Sequence, residues 1–146
     1  MYLNQTAEYA LRAAARLARL EDGASMSGHE LADQTGVPIH YLSKLLRKMV
    51  VAELLVAQKG HGGGFRLARP ASQIRLRDVL VAVEFPIDPD HCVFGHQECD
   101  PKHPCPLHAV WSRLNCAVLR WAEGHTLADT TREGASPPLP KLDDCP

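Results

Sequence analysis

A chain of 146 residues, 45% hydrophobic and 23% charged, can bury one proper core and argues for one compact domain with an appendage rather than two full domains. Its net charge of −1 looks wrong for a nucleic-acid binder if taken as an average. No window reaches the length of a membrane span and no signal-like run opens the chain, so the sequence reads as that of a soluble, unexported, cytoplasmic protein. Five cysteines in a reducing compartment point to metal binding or redox sensing more than to structural disulfides.

Residues 6–20 are rich in Ala, Leu and Arg without Gly or Pro, and Ala10, Leu11, Ala14, Leu17 and Ala18 recur at helical spacing, which predicts a first helix. Ser27 followed by Glu30 is a capping-box signature for a short second helix up to Thr35, ended by Gly36. Pro38 suits the first turn of a third helix to about Ala52, with Leu42, Leu45, Leu46 and Met49 on its inner side. Residues 54–59 and 65–68 read as two short strands joined by Gly60-His61-Gly62-Gly63-Gly64, a glycine-rich hairpin.

A fourth helix is expected over 76–85, from Val79, Leu80 and Val83. Pro86, Pro89, Pro101, Pro104 and Pro106 then punctuate a loop that carries Cys92, Cys99 and Cys105. From Pro106 a long helix resumes, with Leu107, Val110, Trp111, Leu114, Ala117, Val118 and Trp121 in one apolar stripe. The preceding domain already has a core, so this stripe is expected to pack against its copy in a homodimer, with packing inside the chain as the alternative. Thr126 and Asp129 suit the cap of one more short turn, and the Pro-rich polar residues that follow suit a disordered tail. The chain thus divides into a core over 1–85, a cysteine-bearing loop over 86–105, a dimerisation helix with a short following helix over 106–132, and a tail over 133–146.

The charge is unevenly placed. Between residues 37 and 69 lie Lys44, Arg47, Lys48, Lys59, Arg66 and Arg69 against the single acid Glu53, whereas acids outnumber bases beyond Phe85. Ala32, Gly36, Leu42 and Leu45 occupy the constrained positions of a helix-turn-helix: a small residue where helices approach, a turn glycine and two apolar anchors. A basic second helix followed at once by a glycine-rich hairpin makes this a winged helix-turn-helix, mainly α with a small β-hairpin wing. His40, Tyr41, Ser43, Lys44 and Arg47 are expected to face the major groove of double-stranded DNA, and Lys59, His61 and Arg66 the adjacent backbone or minor groove. Tyr41 also suits a packing role. The glycine run lacks the Lys-Ser or Lys-Thr of a phosphate loop, and neither a Ser/His/Asp constellation nor an HExxH helix is present, so the chain does not read as an enzyme.

Cys92, Cys99, Cys105 and His108 form a candidate metal site of three thiolates and an imidazole. Short zinc sites pair cysteines two to four residues apart, and the wider spacing here suits an iron-sulfur cluster better; unliganded thiols and structural zinc remain open. Cys116, in the long helix, and Cys145, in the tail, read as a packed thiol and an incidental one.

The segments EYALRA, ELADQTGVPIHYLSKLLRK, KGHGGGFRLARP, IRLRDVLVAVE and the three-Cys loop ending PCPLH together resemble the Rrf-two family of bacterial winged-helix transcription regulators over nearly all of 1–132. The resemblance implies a homodimer and commonly an iron-sulfur cluster, 2Fe-2S or 4Fe-4S, whose state alters operator binding in response to redox, nitric oxide or iron-sulfur status. It implies Cys92, Cys99 and Cys105 as cluster ligands, with the fourth from His108 or from Glu8 of the other subunit. The first interval of the cysteine loop is one residue longer than is common in the family, which leaves the cluster type open. A regulator with a structural zinc or a thiol switch is the alternative, and a small metal-binding electron carrier is the alternative of another class.

Overall fold

The computed structural model of the chain describes residues 3–88, 91–95, 100–134 and 145. Helix α1 (Gln5–Leu17) starts at Asn4, whose side-chain oxygen accepts from the Ala7 N–H at 2.9 Å. That bond satisfies a donor which the helix itself leaves unpaired. Ala7, Ala10, Ala13, Ala14 and Leu17 are buried, and the small side chains let neighbouring helices approach α1 closely.

Helix α2 (Gly28–Thr35) opens with both bonds of the expected capping box, Glu30 N–H to Ser27 Oγ at 3.2 Å and Ser27 N–H to Glu30 Oε2 at 3.0 Å. Gly36 closes it in the left-handed region at φ 70°, a conformation that any side chain would strain. Helix α3 (Ile39–Val51) follows, with Pro38 just ahead of it rather than in its first turn, and buries Leu42, Leu45, Leu46 and Met49.

Strands β1 (Leu55–Gln58) and β2 (Gly64–Leu67) pair antiparallel with Leu55 opposite Leu67 and Gln58 opposite Gly64. The wing is anchored near its turn: Phe65, one pair in from the hairpin tip, and Met26 exchange backbone bonds of 2.7 and 3.0 Å. Two glycines are required here, Gly63 by the tight turn itself and Gly64 by the approach of Met26. A Cβ on Gly63 would meet the Gln58 and Gly60 carbonyls, and one on Gly64, at φ 151°, would meet the Met26 carbonyl. β1 is shorter than expected because Leu54 is spent closing α3, its N–H reaching the Met49 carbonyl at 3.0 Å with Glu53 left-handed at φ 59°.

After a 3₁₀ turn (Ala71–Gln73), helix α4 spans Leu76–Ala82 and stops earlier than the expected 85, because Glu84 turns left-handed at φ 60°. Helix α5 spans His108–Gly124, and a second 3₁₀ turn (Leu127–Thr131) is capped by Thr126 and Asp129 as expected. Backbone bonds from Leu76 N–H to the His125 carbonyl and from Leu127 N–H to the Ile74 carbonyl return the chain to the start of α4, and Leu127 enters the main core.

That core, with Leu31, Leu42, Leu46, Met49, Ile74, Val79 and Leu127, sits between α1, α2, α3, α4 and the wing. A smaller cluster of Ala7, Leu80 and Ala122 joins α5 to α1 and α4, with Trp121 packed against it. The single stripe expected on α5 is therefore divided. Trp121 packs within the chain and the Trp111 indole N–H donates to the His91 carbonyl at 2.7 Å, whereas Leu107, Val110 and Leu114 stay exposed.

Cys116 and Cys145, expected to be a packed and an incidental thiol, are instead bonded to each other. They form a disulfide, their Cα atoms 5.9 Å apart, inside the range a bridge can span. Spacing along the chain carried no sign of it, since the two lie 29 positions apart. The rest of the tail reading falls on 135–144 and 146, outside the described residues. Among the described residues, no helix is long and apolar enough to cross a membrane.

Candidate nucleic-acid interface and cysteine loop

Because Leu42, Leu45, Leu46 and Met49 face the core, helical periodicity turns His40, Ser43, Lys44 and Arg47 outward, and all four are exposed. Ser43 Oγ donates to the Ile39 carbonyl at 2.8 Å, leaving its lone pairs outward. Tyr41 differs from these neighbours. Its hydroxyl pairs with Thr6 Oγ1, and its ring meets Tyr9 edge-on with centroids 5.4 Å apart, while Arg12 lies 5.5 Å over the Tyr9 ring. Tyr41 docks the first turn of α3 onto α1, the packing role the sequence also allowed, while 37% of it stays exposed. Thr6 and Tyr9 were not singled out from sequence, since a side chain that orients a neighbouring helix leaves no local pattern.

On the wing, Lys59 and His61 are exposed at the hairpin tip, and the half-buried Arg66 donates to Gln58 Oε1 at 3.0 Å across the two strands. The basic stretch is not uniformly free. Lys48 is paired with Glu84 at 2.5 Å, which holds that carboxyl below its ordinary range through the hydrogen bond and the lysine charge, and Arg69 lies 3.9 Å from Asp78. Lys44, Arg47 and Lys59 have no ion pair among the described residues.

The segment after α4 folds back along α5. Asn115, buried, donates to the Asp88 carbonyl at 2.9 Å, and the Trp111–His91 bond lies one turn away. These bonds carry Cys92, a buried free thiol, toward the start of α5, where the His108 N–H donates to the carbonyl of Cys105, a half-buried free thiol, at 3.0 Å. Nearby, the Asp100 carboxyl is held below its ordinary range chiefly by the His103 side chain at 2.8 Å. Cys99 lies outside the described residues, and among the described residues no three His, Cys, Asp or Glu side chains converge on one point. The donor chemistry still suits a soft metal: two uncommitted thiols share one end of α5 with an imidazole. Glu8 is half-buried in the first turn of α1, next to Ala7 of the smaller apolar cluster.

A helical domain that presents an exposed basic helix beside a glycine-rich hairpin is a winged helix-turn-helix, a DNA-binding class. The Rrf2 family, described as iron-dependent transcriptional regulators, matches residues 3–133, and the chain belongs to it. Members of that family are transcription regulators rather than enzymes.

Solved structures show the same fold. CymR, the global cysteine regulator of B. subtilis, is 24% identical over 87% of this chain and 93% of its own, with a TM-score of 0.73. The oxidised form of Staphylococcus aureus CymR is 22% identical over 92% of this chain and 100% of its own, with a TM-score of 0.72. IscR of T. potens is 20% identical over 87% of this chain and 83% of its own, with a TM-score of 0.68.

Proposed function

We propose that this regulator binds double-stranded DNA as a cytoplasmic homodimer and that a cluster held by its cysteine loop controls the binding. In this reading His40, Ser43, Lys44 and Arg47 enter the major groove, and Lys59, His61 and Arg66 reach the flanking backbone. The carrying observation is that Lys44, Arg47 and Lys59 have no ion pair among the described residues, so no protein contact need be broken to engage phosphate. Tyr41, held by Thr6 and Tyr9, fixes how far the first turn of α3 projects.

The exposed Leu107, Val110 and Leu114 supply the dimer contact along α5. Half-site spacing then follows from how α5 is fixed to each winged domain, through Ala122 and the Ile74–Leu127 pairing. Cys92, Cys99 and Cys105 would hold the cluster, with His108, or Glu8 from across the dimer, as the fourth ligand. An iron-sulfur cluster brings soft metal centres that respond to oxidants and nitric oxide. Such a ligand set would tie the segment after α4 to the start of α5, and its loss would free that tie and with it the separation of the two recognition helices.

Selection of duplexes from a random library on the purified protein tests the DNA reading. Recovery of a twofold-symmetric sequence is expected, and no enrichment would sink it. An anaerobic absorption spectrum with iron and sulfide counts tests the cluster. Visible bands lost on replacing Cys92, Cys99 and Cys105 together are expected; a colourless, iron-free protein from anaerobic cells would remove it. A second reading, a cluster-free thiol switch, is favoured by the Cys116–Cys145 disulfide and by the fold shared with CymR, solved also in an oxidised form.

A further inference from the structure

Beside the outer face of α3 runs an open groove of about 710 Å³, bounded by the end of α3, the base of the wing and α4. Its apolar lining is exposed: Val51 is 77% exposed and Val81 51%, and Ala52 and Ala82 line it with them. Exposed valines at the end of a recognition helix add nothing to phosphate binding, and no segment among the described residues covers them.

The rim is unequal in charge. Its acids are both engaged, Glu84 by Lys48 and Asp78 by Arg69, and Asp78 also accepts from the Arg75 N–H at 2.8 Å. Of the other bases on the rim, Arg77 is paired with Glu123 at 3.2 Å, whereas Lys44 and Arg47 have no ion pair among the described residues. The groove therefore offers two open cations at one end and an apolar lining along its length. Its volume lies within the ~300–1,000 Å³ typical of small-molecule sites.

We propose that this groove is an effector site for a small amphiphilic monoanion, a carboxylate on an apolar body. The carboxylate sits at Lys44 and Arg47, and the apolar body covers Val51 and Val81. The site rests on the DNA-binding reading in one respect only: the two cations that hold the carboxylate are those offered to DNA, so effector and duplex exclude one another. At ten times its dissociation constant, a simple competitor lowers apparent duplex affinity about elevenfold.

Decanoate, below its micelle concentration, is the probe, and calorimetry without DNA reads the site independently of any operator. Saturable binding of one decanoate per protomer is expected, with decyltrimethylammonium not binding. Val51→Gln with Val81→Gln should weaken decanoate at least tenfold while leaving the circular dichroism spectrum and affinity for a selected duplex within threefold. Lys44→Ala with Arg47→Ala should also abolish decanoate binding. In the second arm, decanoate should displace the duplex from wild type and not from the double glutamine variant. No saturable binding, equal binding of the cationic probe, or binding untouched by the glutamine pair overturns the proposal. So does tight, decanoate-insensitive capture of an acidic amphipathic peptide in the groove. If decanoate binds as expected and no duplex does, the DNA reading fails and the site stands.

Discussion

Reducing the Cys116–Cys145 disulfide should cost this protein a large share of its stability. The bond joins α5 to a position 29 residues further on, and the entropy of closing such a loop in the unfolded chain corresponds to about 3.6 kcal/mol at 25 °C. Domains of this kind are stable by roughly 5–15 kcal/mol in total, and for a chain of this size each kcal/mol moves the melting temperature by about 2–4 °C. Reduction should therefore lower the melting temperature by roughly 10 °C. Calorimetric scans with and without a phosphine reductant measure it, with Cys116→Ser as the control that responds to neither condition. Peptide mapping of the oxidised protein should recover 116 linked to 145. If wild type melts identically in both conditions, or if Cys116→Ser shifts with reductant as wild type does, the loop-closure argument is refuted.

Three further outcomes follow from the backbone, the caps and the dimer face. Glu53, at φ 59° after α3, should be relieved by Glu53→Gly, raising stability by up to ~1 kcal/mol in denaturant titration; a loss of stability would contradict the strain. The Glu30 carboxyl is held below its ordinary 4.5 by the Ser27 backbone N–H and then the Ser27 side chain. Its stabilisation is full above 4.5 and is lost as pH falls through the lowered value. Ser27→Ala should cost ~1 kcal/mol at pH 7, whereas Glu30→Gln should destabilise above pH 4.5 and its gap to wild type should close as the pH falls through the lowered value; a pH-independent Glu30→Gln gap would refute the charge's part in the cap. Val110→Glu with Leu114→Glu should convert a dimer to a monomer in sedimentation without loss of helical signal, whereas an unchanged mass would move the dimer contact elsewhere.

Much of the fold was legible because each element carried its own boundary chemistry. Ser27 and Glu30, Gly36, the glycine run and Thr126 with Asp129 mark ends that the structure reproduces within a few residues. The elements that ended early did so through left-handed non-glycine residues, Glu53 and Glu84, which no pattern announces because side chains rarely adopt that conformation. The α5 stripe was visible but its division was not. Periodicity identifies an apolar face, and only the tertiary positions of Ala7 and Leu80 decide that Trp121 and Ala122 turn inward while Val110 does not. The outward set on α3 followed from its inward set; that Tyr41 is held by Thr6 and Tyr9 did not, since it depends on how two helices cross. The disulfide and the groove beside α3 are likewise products of chain return and helix packing, invisible to spacing.

The central claim is that Lys44 and Arg47 on α3 meet DNA phosphate or base edges, and the salt dependence of duplex binding tests it most directly. Each neutralised phosphate contributes about 0.9 to the slope of log affinity against log salt. In a dimer, Lys44→Ala with Arg47→Ala removes four cations and should weaken binding, lowering the slope's magnitude by about 0.9 for each that meets phosphate and by up to about 3.6 in all. An unchanged slope with unchanged affinity would place the DNA-reading surface somewhere other than α3.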